Sequence, residues 1–347
     1  MARDPAVPDD DRAAAALVWA RRALGRSDLE LAPAASDASF RRYLRIKGAP
    51  ELLLMDSPPE QVPLTPWLAI GQLLDSAGLR VPRVERADPE RGFALIEHLG
   101  EALYQHRLDS DSADLLYGRA IEALLRMQRG IPASRVPAYE HARFEMELEL
   151  MPEWFLRRHL GVHPECEQWD SIESAFRLLL DSAMQQPQVF VHRDYHSRNL
   201  IDCAPGPGII DFQDALGGPL TYDLVSLLRD CYLRWEDSRV AGWAEDYRRE
   251  RVRAGTLADA PERFIRAFDL MGLQRHIKVL GIFCRLHYRD GKPGYLADLP
   301  RVLGYVLDVA ARYPELAEFS ALLRRFTEGV DLRVPRQPAP AAEPRPA

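Results

Sequence analysis

The chain has 347 residues, enough to bury more than one hydrophobic core, so two lobes are expected. Hydrophobic residues make up 47% and charged residues 28%, the proportions of a globular protein. A formal net charge of -7 argues against nucleic acid or an anionic membrane as partner.

The N-terminal Met1-Ala2-Arg3-Asp4-Pro5 is not a signal peptide. The apolar stretch Ala13–Ala20 is too short to span a bilayer and runs into Arg21-Arg22, so no membrane association is expected. It reads as part of an amphipathic helix over about residues 11–26, stopped by Gly25. Phe40-Arg41-Arg42-Tyr43-Leu44-Arg45-Ile46 alternates apolar and basic residues, as a half-buried strand does. Leu52–Asp56 is a second, fully apolar strand. Pro66–Ala77 reads as a helix with Pro66 in its first turn and Gly78 at its end. Phe93–Glu97 is another strand. From Leu115 the chain is mostly helical, with helices expected over 115–129, 143–159, 166–185, 223–233, 240–254, 261–288 and 299–313. Short apolar runs at Gln188–Val191 and Gly208–Ile210 read as strands inside that helical region. The tail from Pro335 to Ala347 is rich in Pro and Ala without periodicity and is expected to be disordered. The four cysteines, Cys166, Cys203, Cys231 and Cys284, have no close pairs, which fits a reducing, cytoplasmic setting.

Between the two short strands lies His192-Arg193-Asp194-Tyr195-His196-Ser197-Arg198-Asn199, and the second strand runs into Asp211-Phe212. Phosphoryl transfer to a hydroxyl needs a carboxylate to orient the hydroxyl and accept its proton, and two oxygen ligands for magnesium. Asp194 fits the first role; Asn199 and Asp211 fit the second. The strand–loop–strand context is what this chemistry requires. Protein kinases share the H-R-D-x-x-x-x-N pattern but follow the metal-binding aspartate with a long activation loop. Here Gly217-Gly218-Pro219-Leu220-Thr221-Tyr222-Asp223 follows almost at once, and Asp223 is placed to cap a helix starting at Leu224. No peptide-docking loop fits, so a small-molecule acceptor is expected.

The constellation resembles the aminoglycoside phosphotransferase and choline kinase superfamily. That resemblance implies an α+β, bilobal, protein-kinase-like fold: a small β-rich nucleotide-binding lobe over residues 1–98, a hinge at about 97–100, and a larger, mainly helical catalytic and acceptor lobe over 101–334. It implies ATP as co-substrate with Mg2+, and adenine bound by the hinge backbone around Glu97 and Leu99. His192 would support the catalytic loop through Asp223. The phosphate loop falls on Ala35–Arg42, which has no G-x-G-x-x-G; Ser36 and Ser39 offer donors, and Arg41 and Arg42 offer guanidinium groups for phosphate oxygens. Met55 stands where kinase-like folds carry the ATP lysine. Arg42 is one substitute. The other reading is a nucleotide-binding pseudokinase.

Further words narrow the resemblance: Asp37-Ala38-Ser39-Phe40-Arg41-Arg42-Tyr43, Met55-Asp56-Ser57-Pro58-Pro59-Glu60, Pro152-Glu153-Trp154-Phe155, Ile210-Asp211-Phe212-Gln213-Asp214-Ala215 and Gly218–Asp230. From about Asp37 to about Tyr305 the chain is similar to the bacterial anomeric sugar kinases of cell-wall recycling. These phosphorylate N-acetylmuramate and N-acetylglucosamine at C1 and also lack the strand lysine. The lactyl carboxylate of N-acetylmuramate asks for a cation, and Arg289 and Lys292, near the end of a helix, are the expected pair. Glu149, Glu153 and Trp154 are candidates for sugar contact. His196 and Arg198 join them by position. The acidic run Glu145, Glu147, Glu149 and Glu153 would instead suit a polycationic aminoglycoside, so that acceptor stays open. No feature points to an obligate protein partner.

Overall fold

The computed structural model describes residues 11–35, 40–258 and 260–336. Most of the Pro/Ala-rich tail, from residue 337, lies outside them, as do Ser36 and Ser39. The chain divides into two compact units. Of the described residues, the first unit takes those up to Ser112 together with Arg198–Ala215, and the second takes Ala113–Ser197 and those from Leu216 onward.

The first unit is built on one sheet. Strands β1 (Glu30–Ala35), β2 (Arg42–Lys47), β3 (Leu52–Asp56), β4 (Val84–Asp88) and β5 (Phe93–Glu97) form it in the order β1-β2-β3-β5-β4. Every neighbouring pair is antiparallel. Helix α1 (Asp11–Leu24) lays Ala16 and Ala20 against Leu44, Ile46, Leu52, Leu54, Phe93 and Leu95, and small residues on the helix allow that close approach. Helix α2 (Leu64–Ser76) ends before Gly78, whose φ of +73° favours a residue without Cβ. The turn between β4 and β5 closes at Gly92: a Cβ there would lie 1.9 Å from the Ser57 carbonyl oxygen. A short antiparallel pair completes this unit: residues Leu200–Ile201 face Gly208–Ile209. That pair is anchored by Ile209 N–H donating to the Arg80 carbonyl (2.8 Å) and Asp202 N–H to that of Ala102 (2.7 Å).

The second unit is helical. It contains α4 (Ala113–Gly130), which follows the short α3 (Tyr104–Arg107) of the first unit in sequence, then α5 (His141–Leu148) and α6 (Cys166–Met184). After strand β6 (Gln188–Val191), the first unit's pair supplies β7 (Leu200–Ile201) and β8 (Gly208–Ile209), and β9 (Leu216–Pro219) returns to lie antiparallel to β6. Helices α7 (Tyr222–Leu228), α8 (Asp237–Arg253), α9 (Pro261–Tyr288), α10 (Leu299–Ala310) and α11 (Ala317–Thr327) follow. At 28 residues α9 is the axis of the unit, and α6, α7 and α10 pack on it.

Two expectations change here. The helix expected over 143–159 is α5 followed by a π-helical segment, Met151–Leu160, with Pro152 near its start. Proline lacks an N–H and crowds the preceding turn, so the winding widens there. The helix expected over 223–233 stops at Leu228, and Asp223 does not cap it. Its carboxylate is used elsewhere. Among the described residues no helix is long and apolar enough to cross a membrane, and all four cysteines are unbridged.

Candidate active site

In the second unit β6 delivers the chain into the H-x-D-x-H loop. Buried Asp223 accepts the His192 N–H at Oδ2 (2.6 Å) and the Arg193 N–H at Oδ1 (3.0 Å). Arg193 takes a φ of +79°, and Asp211 one of +60°; among the described residues these are the two non-glycines with positive φ. Such backbone is sparsely populated and persists where surrounding bonds over-determine it. The far side of the loop is held as well: Tyr195 donates to the Ala120 carbonyl (2.8 Å), and Ser197 N–H donates to Asp230 (2.9 Å). Asp194 is thus half-buried on a loop tied down before and after it.

Burial raises the Asp194 carboxyl, but Lys278, His196, Arg275 and Arg193 outweigh it and hold it at about 2. Arg193 and Lys278 belong to a buried network. Glu147 receives Arg193 at 2.7 Å and Lys278 at 3.1 Å, and Tyr139 donates its hydroxyl to the same carboxylate. Lys278 also donates to the Tyr222 hydroxyl (3.1 Å), and Arg275 to the Ser226 hydroxyl (2.6 Å). Burial pushes the Asp223 carboxyl up to about 7 against its two backbone donors. Burial also drives His276 down to about 3, so it is neutral at pH 7 and its Nε2 sits 2.9 Å from the Arg229 carbonyl.

The other expected residues of this unit are dispersed. Glu149 is exposed, with its carboxyl raised by partial burial and by Glu145 and Glu173. Half-buried Glu153 pairs with Arg157 and Arg158, and the Arg158 guanidinium lies 5.5 Å from the Trp154 ring centroid. His196 meets Tyr232 edge-on at 5.6 Å. Arg289 is exposed and forks onto Asp290 at 2.9 and 3.1 Å, while Lys292 is half-buried.

In the first unit, the Ile210 N–H donates to the Asn199 carbonyl (3.1 Å), which sets Asn199 beside the end of β8 where Asp211 follows. Gln213 donates its amide to Asp211 (2.9 Å), and Arg198 donates to Gln105 (2.8 Å). Phe212 packs on Trp67 of α2 at 5.1 Å. Arg41 is buried with Nε 3.3 Å from the Ser57 hydroxyl. Arg42 and Arg12 hold fully buried Asp56 from two sides, at 2.9 and 2.7 Å. Glu97 is clasped by Arg80 at 2.6 and 2.8 Å, and Leu99 is buried against Gly208, where an added Cβ would lie 2.8 Å from its Cδ1. Met55 is fully buried in the sheet.

Sequence reasoning missed Arg275 and Lys278, and read Glu147 only as part of an acidic run suited to a polycation. A signal existed: the polar run Gln274-Arg275-His276 and Lys278 interrupts an otherwise apolar helix, and Lys278 is one of three lysines in the chain.

A unit built on a five-stranded antiparallel sheet, together with a helical unit that carries an H-x-D-x-H loop, makes up the fold of the kinase-like phosphotransferases. The ADP-bound aminoglycoside phosphotransferase APH(2'')-Ib shares it with a TM-score of 0.58 at 15% identity, over 85% of this chain and 98% of that one. The ethanolamine kinase of Plasmodium vivax shares it with a TM-score of 0.61 at 12% identity, over 85% and 87%. Residues 30–262 match the model of the phosphotransferase enzyme family, and the chain belongs to that family. It is similar to proteins named N-acetylmuramate/N-acetylglucosamine kinase: 46% identical to that of Pseudomonas putida, over 86% of this chain and 89% of the relative. Against that of Neisseria meningitidis serogroup B it is 39% identical, over 88% and 93%.

Proposed function

We propose that the protein transfers the γ-phosphoryl group of ATP to the anomeric C1 hydroxyl of N-acetylmuramate and N-acetylglucosamine, giving sugar 1-phosphates for peptidoglycan recycling in the cytoplasm. The names of the relatives support the two sugars. The observation that carries phosphoryl transfer is the Asp194 carboxylate, kept ionised by surrounding cations on a loop pinned before and after it. An anomeric hydroxyl is more acidic than an ordinary alcohol and suits a carboxylate of low basicity, and a loose phosphoryl-transfer transition state asks mainly for orientation of the attacking oxygen.

Asp194 accepts a hydrogen bond from the C1 hydroxyl, points its oxygen at the γ-phosphorus and receives the proton as the bond forms. Asn199 and Asp211 would hold Mg2+. Two oxygen donors fit this ion, which takes its remaining ligands from phosphates and water; among the described residues no cluster of three or more His, Cys, Asp or Glu offers a fuller cage. When bound, Mg2+ neutralises charge on the β- and γ-phosphates. Ser36, Ser39, Arg41 and Arg42 serve the phosphates, and the backbone at Glu97 and Leu99 serves the adenine. His192 and Asp223 keep the loop in place. Glu149, Glu153, Trp154, His196, Arg198, Arg289 and Lys292 are the acceptor-side candidates.

Two of the four acidic residues are already paired with cations, which leaves Glu145 and Glu149 of the run for a polycation. Glu147 is turned inward and neutralised by Arg193 and Lys278, and Glu153 is paired with Arg157. A buried Met55 also speaks for a strand position used for packing, with nothing lost from the catalytic loop.

The test is 31P and 1H NMR of the products after incubation with Mg-ATP and N-acetylmuramate, N-acetylglucosamine or kanamycin. A C1 phosphate on the sugars with kanamycin untouched is expected. Phosphorylated kanamycin with inert sugars would replace the acceptor, and ATP binding without transfer to any acceptor would point to a pseudokinase.

A further inference from the structure

Helix α9 presents one cationic face. Arg275, Lys278, Arg285 and Arg289 fall within about a third of its circumference, since residues seven apart lie almost above one another. Three of the four have work inside the protein. Arg275 donates to Ser226, Lys278 to Tyr222 and Glu147, and Arg289 forks onto Asp290. Arg285 does not. Its Nε is buried without a hydrogen-bond partner, and among the described residues its side chain makes no ion pair.

A half-buried guanidinium without a partner is costly. The carboxylates near it are committed. Both Asp290 oxygens are bonded by Arg289, and Glu147 is shared by Arg193, Lys278 and Tyr139. Partial burial and the Arg289 charge lower Arg285, which marks a site short of one negative charge. Lys278 acts on Asp194, and Arg285 stands seven residues further along the same face, about 10 Å up the helix axis.

We propose that Arg285 is the specificity-determining residue of the acceptor site, and that it receives the carboxylate of the acidic sugar. This rests on the substrate reading above and deepens it: the site takes an N-acetylated hexosamine in either form, and Arg285 reads the lactyl carboxylate of N-acetylmuramate alone. The guanidinium fork suits that group bidentately. N-acetylglucosamine, which has no carboxylate, makes no demand on it.

The experiment compares kcat and KM for N-acetylmuramate, its lactyl methyl ester and N-acetylglucosamine in the wild-type chain and in Arg285→Ala and Arg285→Lys. Arg285→Ala is expected to raise KM for N-acetylmuramate by about 10- to 100-fold, as loss of a charged hydrogen-bonded partner does, with kcat nearly unchanged. Its KM for N-acetylglucosamine stays within about twofold, which also reports that the variant is folded. Arg285→Lys recovers part of the loss, since the charge returns without the fork. In the wild-type chain the methyl ester behaves as N-acetylmuramate does in Arg285→Ala, and that variant no longer distinguishes acid from ester. Should Arg285→Ala be insoluble, the ester comparison in the wild-type chain decides alone. Equal losses on both sugars, or ester and acid turned over alike by the wild-type chain, would overturn the assignment and leave Arg285 as a cation complementing the end of α9. If the wild-type chain phosphorylated neither sugar, the substrate reading itself would fall, and this assignment with it.

Discussion

Lys278 Nζ lies 3.1 Å from the Glu147 carboxylate and 3.1 Å from the Tyr222 hydroxyl, with all three side chains buried. Burial raises the Glu147 carboxyl, yet Lys278, Arg193 and the Tyr139 hydroxyl together hold it below its ordinary value. The same Lys278 acts on Asp194. One cation therefore links a buried structural carboxylate to the proposed catalytic one.

Lys278→Met is expected to act on both. Removing one member of a buried pair leaves the other uncompensated, which costs about 3–5 kcal/mol, softened here because Arg193 remains on Glu147. Adding Glu147→Gln should deepen that loss, since Arg193 then loses its carboxylate partner as well. The Asp194 carboxyl should rise in Lys278→Met, so the acid limb of kcat/KM moves to higher pH. Urea unfolding and a pH–rate profile check the two effects. An unchanged profile would mean that Lys278 does not tune Asp194.

Asp194 has a folded value of about 2, below its ordinary 3.8. Its contribution to stability is therefore present above about pH 3.8 and lost as pH falls through about 2. Asp194→Asn should cost about 2 kcal/mol at pH 7, from a shift of nearly two pKa units, and about 100- to 10,000-fold in kcat. A 13C titration of the aspartate carboxyls should find Asp194 ionised throughout pH 4–9. A midpoint above about 4.5 would contradict the electrostatics described here.

Asp223 runs the other way. Its folded value of about 7 lies above the ordinary 3.8, because burial outweighs its two backbone donors. A raised carboxyl stabilises the fold fully below about pH 3.8 and loses that contribution as pH rises through about 7. Asp223→Asn removes the ionisation. The difference in Tm between variant and wild type should thus shift in favour of the variant between pH 5 and pH 8. A constant difference would show that Asp223 does not titrate in that window. At every pH the variant should lose activity, because an amide presents one carbonyl oxygen where the His192 and Arg193 N–H groups use both carboxylate oxygens.

What the sequence disclosed followed from how local each signal was. β3, β5, β6 and α9 were legible to the residue, since their apolar runs are contiguous and buried. β1 and β4 were not, and these are the two edges of the sheet. Glu30–Ala35 contains Pro33, and Val84–Asp88 is almost wholly exposed; backbone pairing on one side holds each, with no apolar pattern to announce it. The loop from His192 to Asn199 was legible because its residues lie within eight positions. Arg275 and Lys278 reach Asp194, and Glu147 reaches Lys278, only through packing of α5 and α9, and no spacing in the sequence encodes those meetings. Asp223, read both as a helix cap and, through the family resemblance, as the support of the His192 loop, does not cap the helix and spends its carboxylate on the backbone of that segment, thirty residues earlier.

Gly281 sets how closely α9 approaches the start of the π-helical segment. A Cβ there would lie 2.4 Å from both the carbonyl carbon and the oxygen of Leu150, which are backbone atoms and cannot swing aside. Gly281→Ala improves intrinsic helix propensity by about 1 kcal/mol, yet overpacking in a buried contact costs about 1–3 kcal/mol or more, so net destabilisation is expected. Gly242 of α8 is exposed with nothing within 4 Å of a built Cβ, so Gly242→Ala keeps the propensity gain alone and should raise Tm. The segment that Gly281→Ala would displace carries Glu153 and Trp154, while α9 carries Lys278 and Arg285. That variant should therefore raise the acceptor KM more than the KM for ATP, measured below its lowered Tm. Equal Tm values for the two alanine variants would show that α9 and the π-helical segment can separate at no cost, and the close packing would not be what positions the acceptor side.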